Sequence, residues 1–140
     1  MLTKATQEKV YRTLKKVFEK NGWGYEPDDS RMMLMTDFMG DDLSIAMMVR
    51  VSDIDISFTT IFDYRVPDAS RRDFVWELNR LNHALSYGRF SLDPNDGSVY
   101  FSYNHIFEDS KPSEELIGSL IAMVIRTTDE QDGELRRMLP

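Results

Sequence analysis

The residue types that most often carry out chemistry are sparse in this sequence. Its 140 residues include no cysteine, which excludes thiol nucleophiles, disulfides and cysteine-type zinc sites. The two histidines are His83 and His105, and neither has a second histidine or a carboxylate at metal-site spacing. There is also no glycine-rich phosphate loop and no serine in a nucleophile elbow. We therefore expect a binding protein without a cofactor rather than an enzyme.

Paired carboxylates occur in three short segments, and they would form a metal site only if several of them converged. The pairs are Asp28-Asp29, Asp41-Asp42 and Asp53-x-Asp55. Each lies in or beside a predicted loop, where aspartate commonly stabilises a turn. The segment 93–97 faintly resembles a calcium loop, but its glycine is fifth rather than sixth, and Asn104 stands where a glutamate is needed. The sequence therefore predicts no metal site.

The charge of the chain is unevenly distributed. The net charge is −7, yet residues 1–20 carry six Lys or Arg against two Glu, so the remaining 120 residues carry −11. An acidic body repels phosphate backbones, so we expect no nucleic-acid partner. No apolar run is long enough to span a bilayer, and no signal core follows the first residues. We expect a cytoplasmic location and no membrane partner.

Hydrophobic periodicity predicts one α+β domain over residues 1–140 with the order α-β-β-β-α-β-β-α. The predicted elements are helix 3–21, strands 31–37, 43–51 and 54–64, helix 68–86, strands 89–93 and 98–105, and helix 112–127, followed by a polar tail at 129–140. The tail contains one possible docking segment at Leu135, Met138 and Leu139. The simplest packing is a five-stranded antiparallel sheet with the helices on one face.

The segment from the second helix into the following hairpin resembles a known family. Its features are Leu-Asn-Arg-Leu-Asn at 78–82, Gly-Arg-Phe-x-Leu-Asp at 88–93, Val-Tyr-Phe at 99–101 and the helix start Pro-Ser-Glu-Glu-Leu at 112–116. These residues, with the element order, resemble the YbjN-like family of proposed bacterial sensory transduction regulators, which shares a fold with class I type III secretion chaperones. The resemblance implies a dimeric, non-enzymatic binding or regulatory module, and it supplies no catalytic residues.

The second predicted helix has two contrasting faces. At about 100° per residue its core stripe consists of four apolar residues, namely Phe74, Leu78, Leu81 and Leu85. The nearly opposite sector contains Arg72, Trp76, Arg80 and His83. Because a tryptophan flanked by arginines is typical of a protein interface, we predict a two-fold dimer contact here. The alternative is that Trp76 lies under a neighbouring loop or the C-terminal tail.

Two asparagines, Asn79 and Asn82, flank the core stripe of the same helix. Asparagine inside a helix lowers helix propensity, so its presence requires a reason. We expect a structural role, in which the side-chain amides satisfy backbone groups at a strand end or across a dimer seam.

Methionine is concentrated in the first two predicted strands. Six of the nine methionines fall between residues 32 and 48, namely Met32, Met33, Met35, Met39, Met47 and Met48. Methionine fills irregular gaps in cores and also suits adaptable peptide-binding surfaces. Core packing is the first expectation; the alternative is a patch formed by Met33, Met35, Ala46 and Met48 that grips an extended segment of a client protein.

These observations favour a non-enzymatic protein-binding module, a chaperone-like or regulatory adaptor that acts as a homodimer and has an unidentified client. The third predicted helix is apolar over roughly 200° of its circumference, more than a one-sided surface helix requires. It therefore packs on the sheet and on something else. This leaves a second hypothesis open, a small-ligand sensor with a pocket between the third helix and the sheet.

Overall fold

The computed structural model describes residues 3–40, 44–107 and 110–140, and within them the chain has an α+β architecture. Its helices and strands are α1 (Lys4–Lys20), β1 (Glu26–Asp28), β2 (Met33–Met39), β3 (Ser44–Val51), β4 (Asp55–Arg65), α2 (Arg71–Ala84), β5 (Arg89–Leu92), β6 (Ser98–Ile106) and α3 (Glu114–Arg137). Single 3-10 turns at Asp29–Arg31 and Asp68–Ser70 precede β2 and α2. The predicted α+β class is confirmed.

The strands form one sheet in the order β1-β2-β3-β4-β6-β5, and every neighbouring pair is antiparallel. The described sheet therefore has six strands, and the expected count of five was wrong. The additional strand is β1, which lies in a segment predicted to be a loop. It has only three residues, and its central Pro27 cannot donate a backbone hydrogen bond, which suits an edge strand.

The third helix is longer than the sequence predicted, since it continues to Arg137 through most of the expected polar tail. The predicted helix end near residue 127 was wrong, whereas the predicted docking of the tail is confirmed at Leu135. Leu135 is fully buried, and Asp132 is only 2% exposed. Both Asp132 carboxylate oxygens accept hydrogen bonds from Arg136 Nε, at 2.9 and 2.8 Å. A buried ion pair thus lets a polar sequence form a packed helical turn.

The two faces of the sheet differ in what covers them. Side chains of one face join all three helices in a single apolar core, and we call this the core face. Its fully buried members include Leu34, Val49, Phe58 and Phe101, with Leu14, Phe74 and Ile121 from the helices. The opposite face, which we call the open face, has no helix packed on it within the described residues. This agrees with the predicted placement of the helices on one face.

The β5–β6 hairpin holds the edge of the sheet beside α2. In its turn, the carboxylates of Asp93 and Asp96 accept hydrogen bonds from the backbone N–H groups two residues ahead, each at 2.8 Å. Gly97 has φ +80°, and a Cβ at this position would lie 2.2 Å from the carbonyl oxygen of Val66. The turn therefore requires glycine, and the 93–97 segment is a structural turn.

Candidate protein-binding surfaces

The structure brings the residues with catalytic or metal-binding side chains to separate places. His83 is exposed on α2, whereas His105 is half-buried on the core face opposite Ile56. Among residues 3–40, 44–107 and 110–140, no three histidine, aspartate or glutamate side chains converge to form a metal site. The described geometry gives no observation in favour of catalysis.

The acidic pairs stabilise turns and connections. Asp29 accepts a 2.7 Å hydrogen bond from the Tyr11 hydroxyl and forms a 2.7 Å ion pair with Lys15, which ties the segment before β2 to α1. The hydrogen bond from Lys15 lowers the pKa of Asp29 below its ordinary value. Asp55 accepts from the hydroxyl of Ser52 at 2.6 Å. The predicted pair at 41–42 lies outside the described residues.

The outer face of α2 exposes all four residues that were predicted to form a dimer contact. Arg72, Trp76, Arg80 and His83 point away from the core, and Trp76 is 66% exposed. Trp76 is thus not covered by a loop of the described chain. Periodicity alone missed two apolar neighbours. Val75 is 47% exposed on an adjacent side of the helix, and Met138, which follows α3, lines a groove of about 430 Å3 together with Trp76.

The two asparagines of α2 have different roles. Asn82 Oδ1 accepts a 2.6 Å hydrogen bond from the backbone N–H of Phe90, and its Nδ2 donates to the carbonyl oxygen of Phe90 at 2.9 Å. One side chain therefore satisfies both outward backbone groups of a residue in the edge strand β5, as expected for a structural role. Asn79 is exposed, and its side chain makes no hydrogen bond to the described residues.

The four residues of the predicted client-binding patch lie together on the open face. Met35 of β2 is directly opposite Met48 of β3, with Met33 and Ala46 as their same-face neighbours. Met35 is 42% exposed, and the other three are half-buried among one another. We call these four residues the methionine patch. Of the six clustered methionines only Met47 is fully buried, so core packing, the first expectation, does not explain the cluster.

A shallow groove adjoins the methionine patch at the start of β1. Its volume is about 510 Å3. Met35 and Ala46 form part of its lining, together with two carboxylate side chains, Glu26 and Asp37. Both carboxylates are exposed, and neither forms an ion pair with the described part of the chain. Sequence reasoning missed Glu26 because it assigned residues 23–30 to a loop, although the alternation in β2 does place Asp37 beside Met35.

The interface between α3 and the sheet is filled with side chains. Ile117, Ile121 and Val124 are fully buried there. Further along the helix, the hydroxyls of Thr128 and Thr60 form a 2.6 Å hydrogen bond inside the core. Nothing in this packing favours the second hypothesis, a small-ligand pocket between the third helix and the sheet.

The end of α3 also contains a polar cluster that the sequence did not indicate. Arg136 bridges Asp132 and Asp63, and its guanidinium lies 5.0 Å from the centre of the Tyr64 ring. Burial raises the pKa of Tyr64 above its ordinary value. The cluster links α3 to the irregular end of β4, where the register with β6 shifts between Ile61 and Arg65. It therefore explains the unexpected length of α3.

No described helix has both the length and the apolar character needed to cross a membrane. No curated protein matches the sequence significantly. The structure is similar to the crystal structure of YbjN from E. coli, described as "a putative transcription regulator", with a TM-score of 0.61 and 14% identity over 89% of this chain and 86% of that one. At this identity the likeness shows the fold alone. A sequence model of the YbjN family, described as "Putative bacterial sensory transduction regulator", matches residues 11–137. Because that match spans most of the chain, the protein belongs to the YbjN family.

Proposed function

We propose that this protein is a non-enzymatic protein-binding module, a chaperone-like or regulatory adaptor, that works as a homodimer. The observation that carries the proposal is the methionine patch on the uncovered face of the sheet. The description of the YbjN family as regulators supports the regulatory aspect. The open face binds a client, and the outer face of α2 joins two copies of the chain.

The open face has the wrong composition for a surface that only contacts water. A sheet covered on one face normally alternates apolar and polar residues along each strand. In β2 and β3 four adjacent outward positions are instead occupied by Met33, Met35, Ala46 and Met48, and the polar residues Asp37 and Arg50 lie at the margins of this group. Flexible, polarisable methionine side chains adapt to varied apolar partners, and a contiguous exposed apolar patch commonly marks an interaction site.

Co-purification tests the client-binding surface. Met48→Glu places a charge at the centre of the methionine patch, on a half-buried side chain of the open face, so the fold is retained and client capture falls. Ile106→Glu is the matched control, because Ile106 is 63% exposed at the far end of β6. Circular dichroism verifies both folds. Equal client recovery with Met48→Glu and the control contradicts the proposal.

The dimer is tested separately. Trp76 lines a groove of the outer face together with Met138, and Arg72 and Arg80 lie one turn before and one turn after it on α2, a composition enriched at interface centres. Trp76→Asp removes this contact and is expected to give a monomer in sedimentation velocity or light scattering. A mass equal to twice that of the chain for both the wild type and Trp76→Asp contradicts the α2 interface.

A further inference from the structure

The methionine patch has a charge at each end, and the two charges are opposite. At one end Glu26 faces Met35 across the β1–β2 pair, and Asp37 follows two residues along β2 on the same face. Such diagonal neighbours are about 7–8 Å apart, close enough for both carboxylates to contact one cation. At the other end Arg50 faces Met33 from β3, and Asp28, which faces Met33 from β1, is paired with Arg31 at 3.7 Å. A segment bound along the patch therefore has two negative side chains near one end and a positive side chain near the other.

The two carboxylates at this end differ from the other acidic groups nearby. Asp28 has Arg31 at 3.7 Å, and Asp29 has Lys15 at 2.7 Å. Glu26 and Asp37 have no cationic partner among the described residues, and both are exposed at the groove beside the patch. The groove thus combines an apolar floor with two uncompensated negative charges.

This combination fits a lysine or arginine side chain. Such side chains lay their aliphatic stems along apolar surface and keep their charged heads at polar groups. Met35 and Ala46 supply the apolar surface, and Glu26 and Asp37 supply the charge. Arg50 repels a second cation at the opposite end. Arg50 lies four residue steps after Ala46 on β3, which is about 14 Å, so the bound segment is short.

We infer that the client segment is a short apolar stretch with a lysine or arginine at one end, and that this basic residue binds in the groove between Glu26 and Asp37. The inference rests on the proposed function, because it specifies the chemistry of the partner for the same surface. The proposed occupant of the methionine patch is a segment of another protein with this pattern. The alternative occupant is a second copy of the chain.

Labelled peptides test this pattern directly. Three fluorescein-labelled peptides share one Leu-Phe-Leu core, followed by two lysines, two glutamines or two glutamates, and their affinities are measured by fluorescence anisotropy with the full chain. The lysine peptide is expected to bind about threefold to tenfold more tightly than the glutamine peptide, as expected for one or two exposed ion pairs. High salt reduces this preference. The glutamate peptide binds most weakly.

Two double variants distinguish binding of the basic residue in the groove from long-range attraction by the net negative charge of the chain. Replacing Glu26 and Asp37 by lysine is expected to reverse the order of the peptides. The control replaces Glu130 and Glu134, which are exposed on α3, by lysine and changes the net charge equally. It is expected to leave the order unchanged. An equal effect of both double variants overturns the inference, because the preference is then long-range electrostatics.

The outcomes distinguish this inference from the proposed function. Equal binding of all three peptides, with all binding lost in Met48→Glu, overturns the basic anchor and retains the client surface. Binding that Met48→Glu leaves unchanged, or no binding of any peptide, overturns both. Conversion of a wild-type dimer to a monomer by Met48→Glu in light scattering shows that a second copy occupies the patch, and it also overturns the inference.

Discussion

The side chain of Asn82 gives the sharpest test of how the fold is held together. Its amide forms two hydrogen bonds with the backbone of Phe90, at 2.6 and 2.9 Å, and so covers the outer edge of β5. Asn82→Ala removes both bonds and leaves a half-buried peptide N–H and C=O without partners. Asn79→Ala is the matched control, because Asn79 lies one turn earlier on the same helix and is exposed.

The expected magnitude follows from the two bonds. Each contributes about 0.5–1.5 kcal/mol net, and a polar group left unsatisfied costs more. Alanine in place of asparagine returns about 0.5 kcal/mol of helix propensity. We therefore expect Asn82→Ala to lower the free energy of unfolding by about 2 kcal/mol, equivalent to a Tm lower by about 8 °C. Asn79→Ala should raise the free energy of unfolding by up to about 0.5 kcal/mol.

Urea unfolding followed by far-UV circular dichroism measures both variants under the same conditions. The amide hydrogen-exchange rate of Phe90 measures the local effect. Exchange should be faster in Asn82→Ala, because the Phe90 N–H then lacks its hydrogen-bond acceptor. A difference in unfolding free energy between the two variants below about 0.5 kcal/mol would refute the role of the Asn82 amide.

Three further stability measurements test other parts of the structure. Gly97→Ala should cost about 2–3 kcal/mol in urea unfolding, because a positive φ strains an L-residue and its Cβ meets a backbone oxygen. Gly24→Ala, which has open space around its Cβ, is the control, and equal losses would contradict the explanation. Arg136→Met should cost about 3 kcal/mol at neutral pH, because it leaves the carboxylate of Asp132 buried without its partner. A loss of about 1 kcal/mol or less, as for an exposed ion pair, would count against the buried ion pair. The pKa of Asp29 is lowered in the folded state by a hydrogen bond from the neighbouring lysine, so its stabilisation is fully present above about pH 4 and is lost as pH falls through the folded-state pKa. Asp29→Asn should therefore be less stable than the wild type at neutral pH and converge with it in acid, whereas a gap that persists in acid would argue against this linkage.

Much of the architecture could be predicted from periodicity. The strand pattern Ile56, Phe58 and Phe62 is buried as predicted, whereas Ile54, predicted on the same face, precedes β4 and is 45% exposed. The three long helices begin close to the predicted positions. The short strand β1 could not be predicted, because Glu26, Pro27 and Asp28 have no strand propensity. It forms because the preceding and following segments are anchored to the core. The end of α3 was missed for a similar reason, since only the folded structure supplies a partner for a buried carboxylate.

The candidate surfaces could be predicted only in part. Helical geometry alone places Trp76 opposite Phe74, and Trp76 is indeed exposed. For β2 and β3 the sequence grouped Met33, Met35, Ala46 and Met48 on one face, as in the structure, but it left open whether the helices cover that face. That choice depends on the positions of all three helices. The carboxylate of Glu26 lies beside the methionine patch because β1 pairs with β2. The sequence did not predict that pairing.

Site-specific photo-crosslinking tests the central claim, protein binding by the open face, most directly. A benzophenone amino acid is placed at Met48 in the methionine patch, and at Ile106 as a control on the same face, and the chain is irradiated in cells that express it. We predict that position 48 crosslinks one client protein reproducibly and that position 106 does not. Crosslinks absent at position 48, or equally abundant at both positions, would contradict the account.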